Sequence, residues 1–558
     1  MDLRIAPSAL SAAAVPTAPA RPTESAQVPP ELGDTVQVTT YHQDPLVGKP
    51  EVVTVDRAKV GSGLSNERVK ISDTRPKAKP DSSGNFIMTP GSDGDAQVNA
   101  QVVTTRTLDM WEGYRGGRIN WSFGGPSLEV VPHKREGMNA YYSRWEASTN
   151  YFYQNSPQLN TVVKTANSTD VVAHETGHAI LDGMKPGFLS AYDRETSSFH
   201  ESFGDCTAML ATLHDPVLNQ RIVDQTGGDL RKPNNVAHLA EEFGKAVKLS
   251  NTDPKDDNNA WLRNALNPFT YVPPESLGDG RGDDDTLGGQ IHSFSRLFSG
   301  AFYDCIEAAY NQGLESSLPP AVALKSAETT LGPLFARAVD RLPANRGRFK
   351  DVALGLIAAD KEKNGGKLGD AMKKVFLDRK ILKSSDIQAE EERRTQLPSL
   401  TVDHNFTSPE AVNHYVSARR EQLGLPLDVD LQTVAMSVNE QGEQVLNLLY
   451  SREVPVTGVP GLEGLTTDVT GGVTLAFDER GKLSEFRHQP IDDESIRDEM
   501  EGIAFLQRKA QILQGDRSQP MIFTRSDGKP YQAVVMDGKL TRIPSSSCDC
   551  GSPGCQGH

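Results

Sequence analysis

The stretch VVAHETGHAILDG, Val171 to Gly183, decides how this chain is read. It holds His174, Glu175 and His178 in an H-E-x-x-H pattern. Residues four apart on an α-helix lie on one face, one turn apart, so both imidazoles can reach a single metal ion. Helix signals surround the pattern. Ser168, Thr169 and Asp170 offer N-cap oxygens, an apolar run follows, and Gly183 with Pro186 suits a stop. Two neutral imidazoles suit zinc, and a carboxylate beside them can take a proton from a metal-activated water.

Working outward, TSSFHESFGDCTAMLATLHD, Thr196 to Asp215, reads as a second helix capped by Ser197 or Ser198. A two-histidine zinc site needs a third ligand. Glu201 follows His178 after 22 intervening residues, which suits a helix, a loop and a return helix. Asp205 shares the face of Glu201 and can take the free ring N–H of a ligating histidine.

H-E-x-x-H followed by E-x-x-x-D resembles the metal signature of the thermolysin-like metallopeptidases, zinc enzymes of the gluzincin group. The likeness extends to four more places. Tyr192 lies nine residues before Glu201, the spacing of that family's active-site tyrosine. LRNALNP (Leu262 to Pro268) resembles the segment with a substrate-binding arginine, here Arg263. LGGQIHSFSRLFSGAFYD (Leu287 to Asp304) resembles the G-G-x-H segment, with His292 as its histidine. NAYYS (Asn139 to Ser143) resembles the edge strand whose Asn-Ala pair, here Asn139 and Ala140, binds peptide backbone. The likeness covers roughly residues 100 to 385, with the landmarks in family order.

The resemblance implies an α+β, two-lobe zincin: a β-rich N-terminal lobe with the zinc helix (36–195), a helical C-terminal lobe (196–385), and the active-site cleft between them. It implies a zinc metalloendopeptidase acting on peptide or protein substrates. His174, His178 and Glu201 would hold Zn²⁺, Glu175 would be the proton acceptor, and His292 and Tyr192 would donate to the developing oxyanion. Departures are Thr176 and Gly177 inside the motif, His200 where the family carries Asn, and one extra residue, Gln290 or Ile291, before His292. Asp283, Asp284 and Asp285 are candidates for the acid that orients His292, with Asp285 preferred. A zinc aminopeptidase on the same scaffold and a non-catalytic zincin-fold binding module are the alternatives. No acidic motif for gripping a substrate amino terminus stands out, and Glu175 and all the ligands are present.

The rest of the chain sets bounds. Its 558 residues carry 58 Lys plus Arg against 74 Asp plus Glu, a net charge of −16. That argues against nucleic acid or an anionic membrane as partner. No apolar run reaches the roughly 18 residues of a membrane span. Residues 1–35 are rich in Ala, Pro, Ser and Thr. They read as a disordered leader rather than a secretory signal, although the resembled family is mostly secreted. TVQVTTYH (Thr35 to His42), EVVTVDRAKV (Glu51 to Val60) and DAQVNAQVVTT (Asp95 to Thr105) read as strands, and RTLDMWEGYRG as a short helix. NAYYSRWEASTNYFYQN reads as a hairpin, Asn139–Trp145 and Tyr151–Gln154, joined at EASTN.

The acidic loops NTDPKDDNN and GDGRGDDD could hold Ca²⁺, which is common in the resembled family. Residues 293–382 show helical patterns. Beyond a charged linker, 400–545 reads as a small α+β accessory domain, its last strand pair being QPMIFTR and YQAVVMDGKLTRI joined at SDGKP. The tail 546–558 carries Cys548, Cys550, Cys555 and His558, a set that could bind metal.

Overall fold

The motif stretch folds as expected. Thr169–Met184 is an α-helix whose N-cap Ser168 accepts the Val171 N–H through its hydroxyl. Nearly every residue of the helix is buried, its polar side chains included, so it has no solvated stripe. The return helix, Arg194–His214, begins earlier than Ser197 or Ser198 suggests. Asp193 is its cap, accepting the Thr196 N–H at 3.1 Å.

The structure, a computed structural model, describes residues 33–250, 261–514, 531–543 and 545–548. NTDPKDDNN, QPMIFTR and SDGKP lie outside these residues, as do the leader to residue 32 and the tail from residue 549. The fold is mixed α and β, and the described residues from Asp34 onward belong to one compact unit.

DAQVNAQVVTT is not a strand. It is the first half of one long helix, Asp93–Arg115, that also absorbs RTLDMWEGYRG. Ser92 caps it, Asp93 and Asp95 sit in its first turn, and Gly116 closes it in the left-handed region at φ 67°. Its Val and Thr residues are buried on almost every face, so packing outweighs their β propensity. Trp111, fully buried, packs against Phe203 of the return helix, the rings tilted by 34° with centroids 4.5 Å apart.

A five-stranded sheet lies beside the two motif helices. Its order is Ser545–Cys548, Ala140–Ser143, Ser148–Tyr151, Leu128–Val131, Val69–Ile71. The expected hairpin is present, but its turn falls at Arg144–Ala147, with Ala147 at φ 52°, so the second strand starts at Ser148. Helices Ile291–Glu315, Pro320–Asp340, Phe349–Lys363 and Gly369–Asp378 fill 291–378, in line with the helical pattern.

Residues 400–543 build a second sheet around the long antiparallel pair Gln444–Pro455 and Thr466–Phe477. YQAVVMDGKLTRI forms a hairpin by itself, Ala533–Met536 with Lys539–Arg542. Its Asp537-Gly538 turn has φ 50° and 78°, the left-handed pair that suits a two-residue connection. This region packs on the rest. One hydrophobic cluster joins Tyr192 to Val456, Leu462, Ile503, Phe505 and Leu540. Just beyond the motif helix, Lys185 is fully buried and donates to the carbonyls of Asp340 and Leu342 and to Asn447 Oδ1. Burial pushes its pKa down to about 7.

Candidate metal centre

The two motif helices meet through a pair of glycines. A Cβ on Gly204 would lie 2.7 Å from the His174 ring, and one on Gly177 would lie 2.9 Å from Thr207 Oγ1. A helical Gly costs about 1 kcal/mol relative to Ala. Here that cost permits contact close enough to bring the imidazoles against the return helix.

That contact assembles the residues picked from sequence. His174 Nε2 lies 3.6 Å from Glu201 Oε2, and His178 Nε2 lies 3.6 Å from Glu201 Oε1. All three residues are buried. Both Nε2 atoms are buried with no hydrogen-bond partner among the described residues. Buried polar atoms left without a partner carry a desolvation cost unless something binds them. His174, Glu175 and His178 also form a cluster whose potential ligand atoms all lie within 4.8 Å of one another. Burial alone would raise the Glu201 pKa, but His292, His178, His174 and Arg263 together hold it well below the usual carboxylate range.

The other nitrogens of the two histidines are held as well. Asp205 Oδ1 lies 3.1 Å from His174 Nδ1. His178 Nδ1 lies 2.8 Å from His200 Nδ1. Burial pushes the His200 pKa down to about 4, so it is neutral near pH 7 and able to accept that N–H. The sequence marked His200 only as a departure. Its position next to Glu201, on the helix that returns to the motif, was the signal available.

Arg263 also reaches the centre. Its guanidinium donates to Asp205 Oδ1 at 2.8 Å and to Glu201 Oε2 at 3.0 Å. His292 Nε2 lies 3.4 Å from Glu201 Oε2. Its Nδ1 is met by the Gln290 side chain, the N-cap of its own helix. Asp285 is not in that position. It is exposed on its loop, where its N–H donates to Asp283 Oδ1. The extra residue before His292 brings Gln290 within reach instead.

The Tyr192 contacts lie elsewhere. Its N–H donates to Glu499 Oε2 at 2.6 Å, and the Arg542 guanidinium sits 5.5 Å from its ring. Burial raises its phenol pKa, with Arg542 and Thr467 opposing. Ala140 opens the strand Ala140–Ser143 and Asn139 precedes it, but the strand is not the sheet edge expected from sequence, because Ser545–Cys548 pairs along its outer side. Asn139 Oδ1 is buried with no hydrogen-bond partner among the described residues. The strand is tied to the motif helix by Asp182, which accepts from the Tyr142 hydroxyl at 2.7 Å and from Arg144 Nε at 2.9 Å.

In the loop GDGRGDDD the acids meet protein partners. Asp279 pairs with Arg508, Asp284 with Lys248, and Asp283 accepts from Thr286. A different carboxylate group is buried next to the motif helix: Asp44, Asp170, Glu241 and Glu242. Backbone N–H groups satisfy one oxygen of Asp44 and one of Asp170. Asp44 Oδ2, Asp170 Oδ1 and Glu241 Oε2 are buried with no hydrogen-bond partner among the described residues. Burial first, then the charge of Asp44, pushes Asp170 and Glu242 up to about 8. Among the described residues, no helix is long and apolar enough to cross a membrane. No protein-family model and no curated protein matches this chain.

Proposed function

We propose that the chain is a thermolysin-like zinc metalloendopeptidase, a two-lobe zincin that hydrolyses peptide bonds in protein substrates. One observation carries the reading: two orphaned, buried imidazole nitrogens, each 3.6 Å from an oxygen of one buried glutamate. The two contacts fall on different oxygens of Glu201, so the three side chains face one another closely enough to share one ion, and their nitrogen and oxygen donors are of the kinds zinc takes.

His174, His178 and Glu201 would hold the ion. When bound, it supplies Lewis acidity that polarises a carbonyl and acidifies a water. Everything else is done by the chain. Asp205 and His200 fix the tautomers of His174 and His178, leaving each Nε2 as the free acceptor. Glu175, one residue beyond His174, takes a proton from water and hands it to the leaving nitrogen. His292, held by Gln290, presents Nε2 as a donor to the developing oxyanion. Arg263 fixes the carboxylates of Glu201 and Asp205 and offers its planar donors to a substrate carbonyl. Asn139 and Ala140 offer backbone and amide groups to an extended peptide.

The buried carboxylates Asp44, Asp170, Glu241 and Glu242 fit Ca²⁺, which takes oxygen ligands and offsets clustered negative charge. In this reading calcium is structural, anchored to the motif helix through Asp170.

Casein cleavage measured beside zinc content tests the reading. Cleavage should require zinc and fall by about 10²–10⁴-fold in Glu175→Gln with zinc retained. A Glu175→Gln protein that cleaves at the normal rate would falsify the assignment.

A further inference from the structure

The sheet that carries the expected substrate edge does not end at that edge. Ser545–Cys548 pairs antiparallel with Ala140–Ser143, in the register Ser545 with Ser143, Ser546 with Tyr142, Ser547 with Tyr141 and Cys548 with Ala140. Without this strand, Ala140–Ser143 would be the open edge of the sheet. An extended peptide adds to a sheet by pairing its main chain with that same row of N–H and C=O groups. Two chains cannot use the row at once. The strand runs toward Asn139, the residue read as binding substrate backbone.

Arg542, close before this strand, and the helix Asp493–Arg508 both pack on Tyr192. Arg542 lies over the Tyr192 ring, and Glu499 accepts the Tyr192 N–H. Gly502 packs so tightly on Tyr192 that a Cβ there would lie 1.8 Å from its carbonyl oxygen. Ile291, beside His292, packs on the same hydrophobic cluster.

We propose that the C-terminal strand Ser545–Cys548 is an intramolecular pseudo-substrate, which holds the chain latent by pairing with Ala140–Ser143 until an extended polypeptide displaces it. The inference rests on reading Ala140–Ser143 as the substrate edge. A tethered strand competes at an effective concentration near the millimolar range, so it suppresses weak peptide ligands and yields to tight ones.

The test reads strand exchange without chemistry. The full chain carries Glu175→Gln in every sample. The probe is a dye-labelled synthetic peptide of residues 543–550 with serine in place of both cysteines. Three forms are compared: the parent, Ser546→Pro/Ser547→Pro, and Ser143→Cys/Ser545→Cys oxidised to lock the register, its crosslink verified by peptide mapping. Two adjacent prolines remove a pairing N–H whichever residue faces the edge.

The proline form should bind the peptide at least about tenfold more tightly than the parent. The locked form should bind it more weakly than the parent, and reduction should restore parental binding. Equal affinity in all three forms overturns the proposal. Binding to none of them, with Ala140–Ser143 amides exchanging freely in the proline form, also overturns it and removes the substrate-edge reading. Neither outcome touches the zinc assignment, which is judged by metal content and by casein cleavage with Glu175 intact.

Discussion

His200 sits behind the candidate metal centre, its Nδ1 2.8 Å from His178 Nδ1. Replacing it with Ala leaves His178 Nδ1 without its ring partner. Losing such a contact commonly weakens metal affinity by about 10–100-fold. Competition with a fluorescent chelator should show that loss, with folding intact by circular dichroism. Glu201→Gln should go further and abolish stoichiometric zinc binding, since the amide surrenders the ligand charge. Unchanged zinc affinity in both variants would remove this description of the site. Most of the residue set was legible because helical spacing pairs His174 with His178 and Glu201 with Asp205, and the family resemblance joins the two pairs. The Gln290–His292 contact was not, because which donor meets an imidazole depends on where a helix cap falls. The burial of Tyr192 under residues distant in sequence had no local signal at all.

At the scale of elements, the glycines at the helix crossing decide the geometry. In Gly204→Ala the new methyl would meet the His174 ring at 2.7 Å, so the ring or the helix must move. Overpacking of this kind costs about 1–3 kcal/mol. It should show as a lowered Tm together with weaker zinc binding. Gly177→Ala meets the Thr207 side chain and should cost less. Equal, negligible effects would mean that the crossing is looser than described. The same buried environment explains the main misreading. Asp93–Arg115 carries β-branched residues in a pattern that mimics strands, yet burial on nearly all faces removes the polar stripe that normally marks a helix. The Asp537-Gly538 hairpin was readable from turn chemistry, yet YQAVVMDGKLTRI reads as a single run unless that turn is given weight, while its expected partner QPMIFTR lies outside the described residues.

Across the whole molecule, buried charge links distant segments. Asp44, Asp170, Glu241 and Glu242 come from three parts of the chain, so no sequence window shows them together. Asp170 and Glu242 are raised from ordinary carboxylate values to about 8. A raised acid stabilises the fold fully below its unfolded pKa, near 4, and that contribution is lost as pH rises through about 8. Calcium binds the deprotonated form, so it should raise Tm more at pH 8 than at pH 5 and release protons on binding. Differential scanning fluorimetry with and without Ca²⁺ at the two pH values checks this, and an equal shift at both would count against the assignment. The segment 400–545 was legible as α+β, and its described residues hold both helices and strands. Their packing over Tyr192 was not, because it depends on long-range contacts among residues such as Ile503 and Leu540.

The most direct test of the central claim is the zinc content of the purified full chain, measured by mass spectrometry of the metal against protein concentration. One zinc per chain is expected, falling to none in Glu201→Gln and staying at one in Glu175→Gln. A folded chain that binds no zinc with His174, His178 and Glu201 intact would contradict the account.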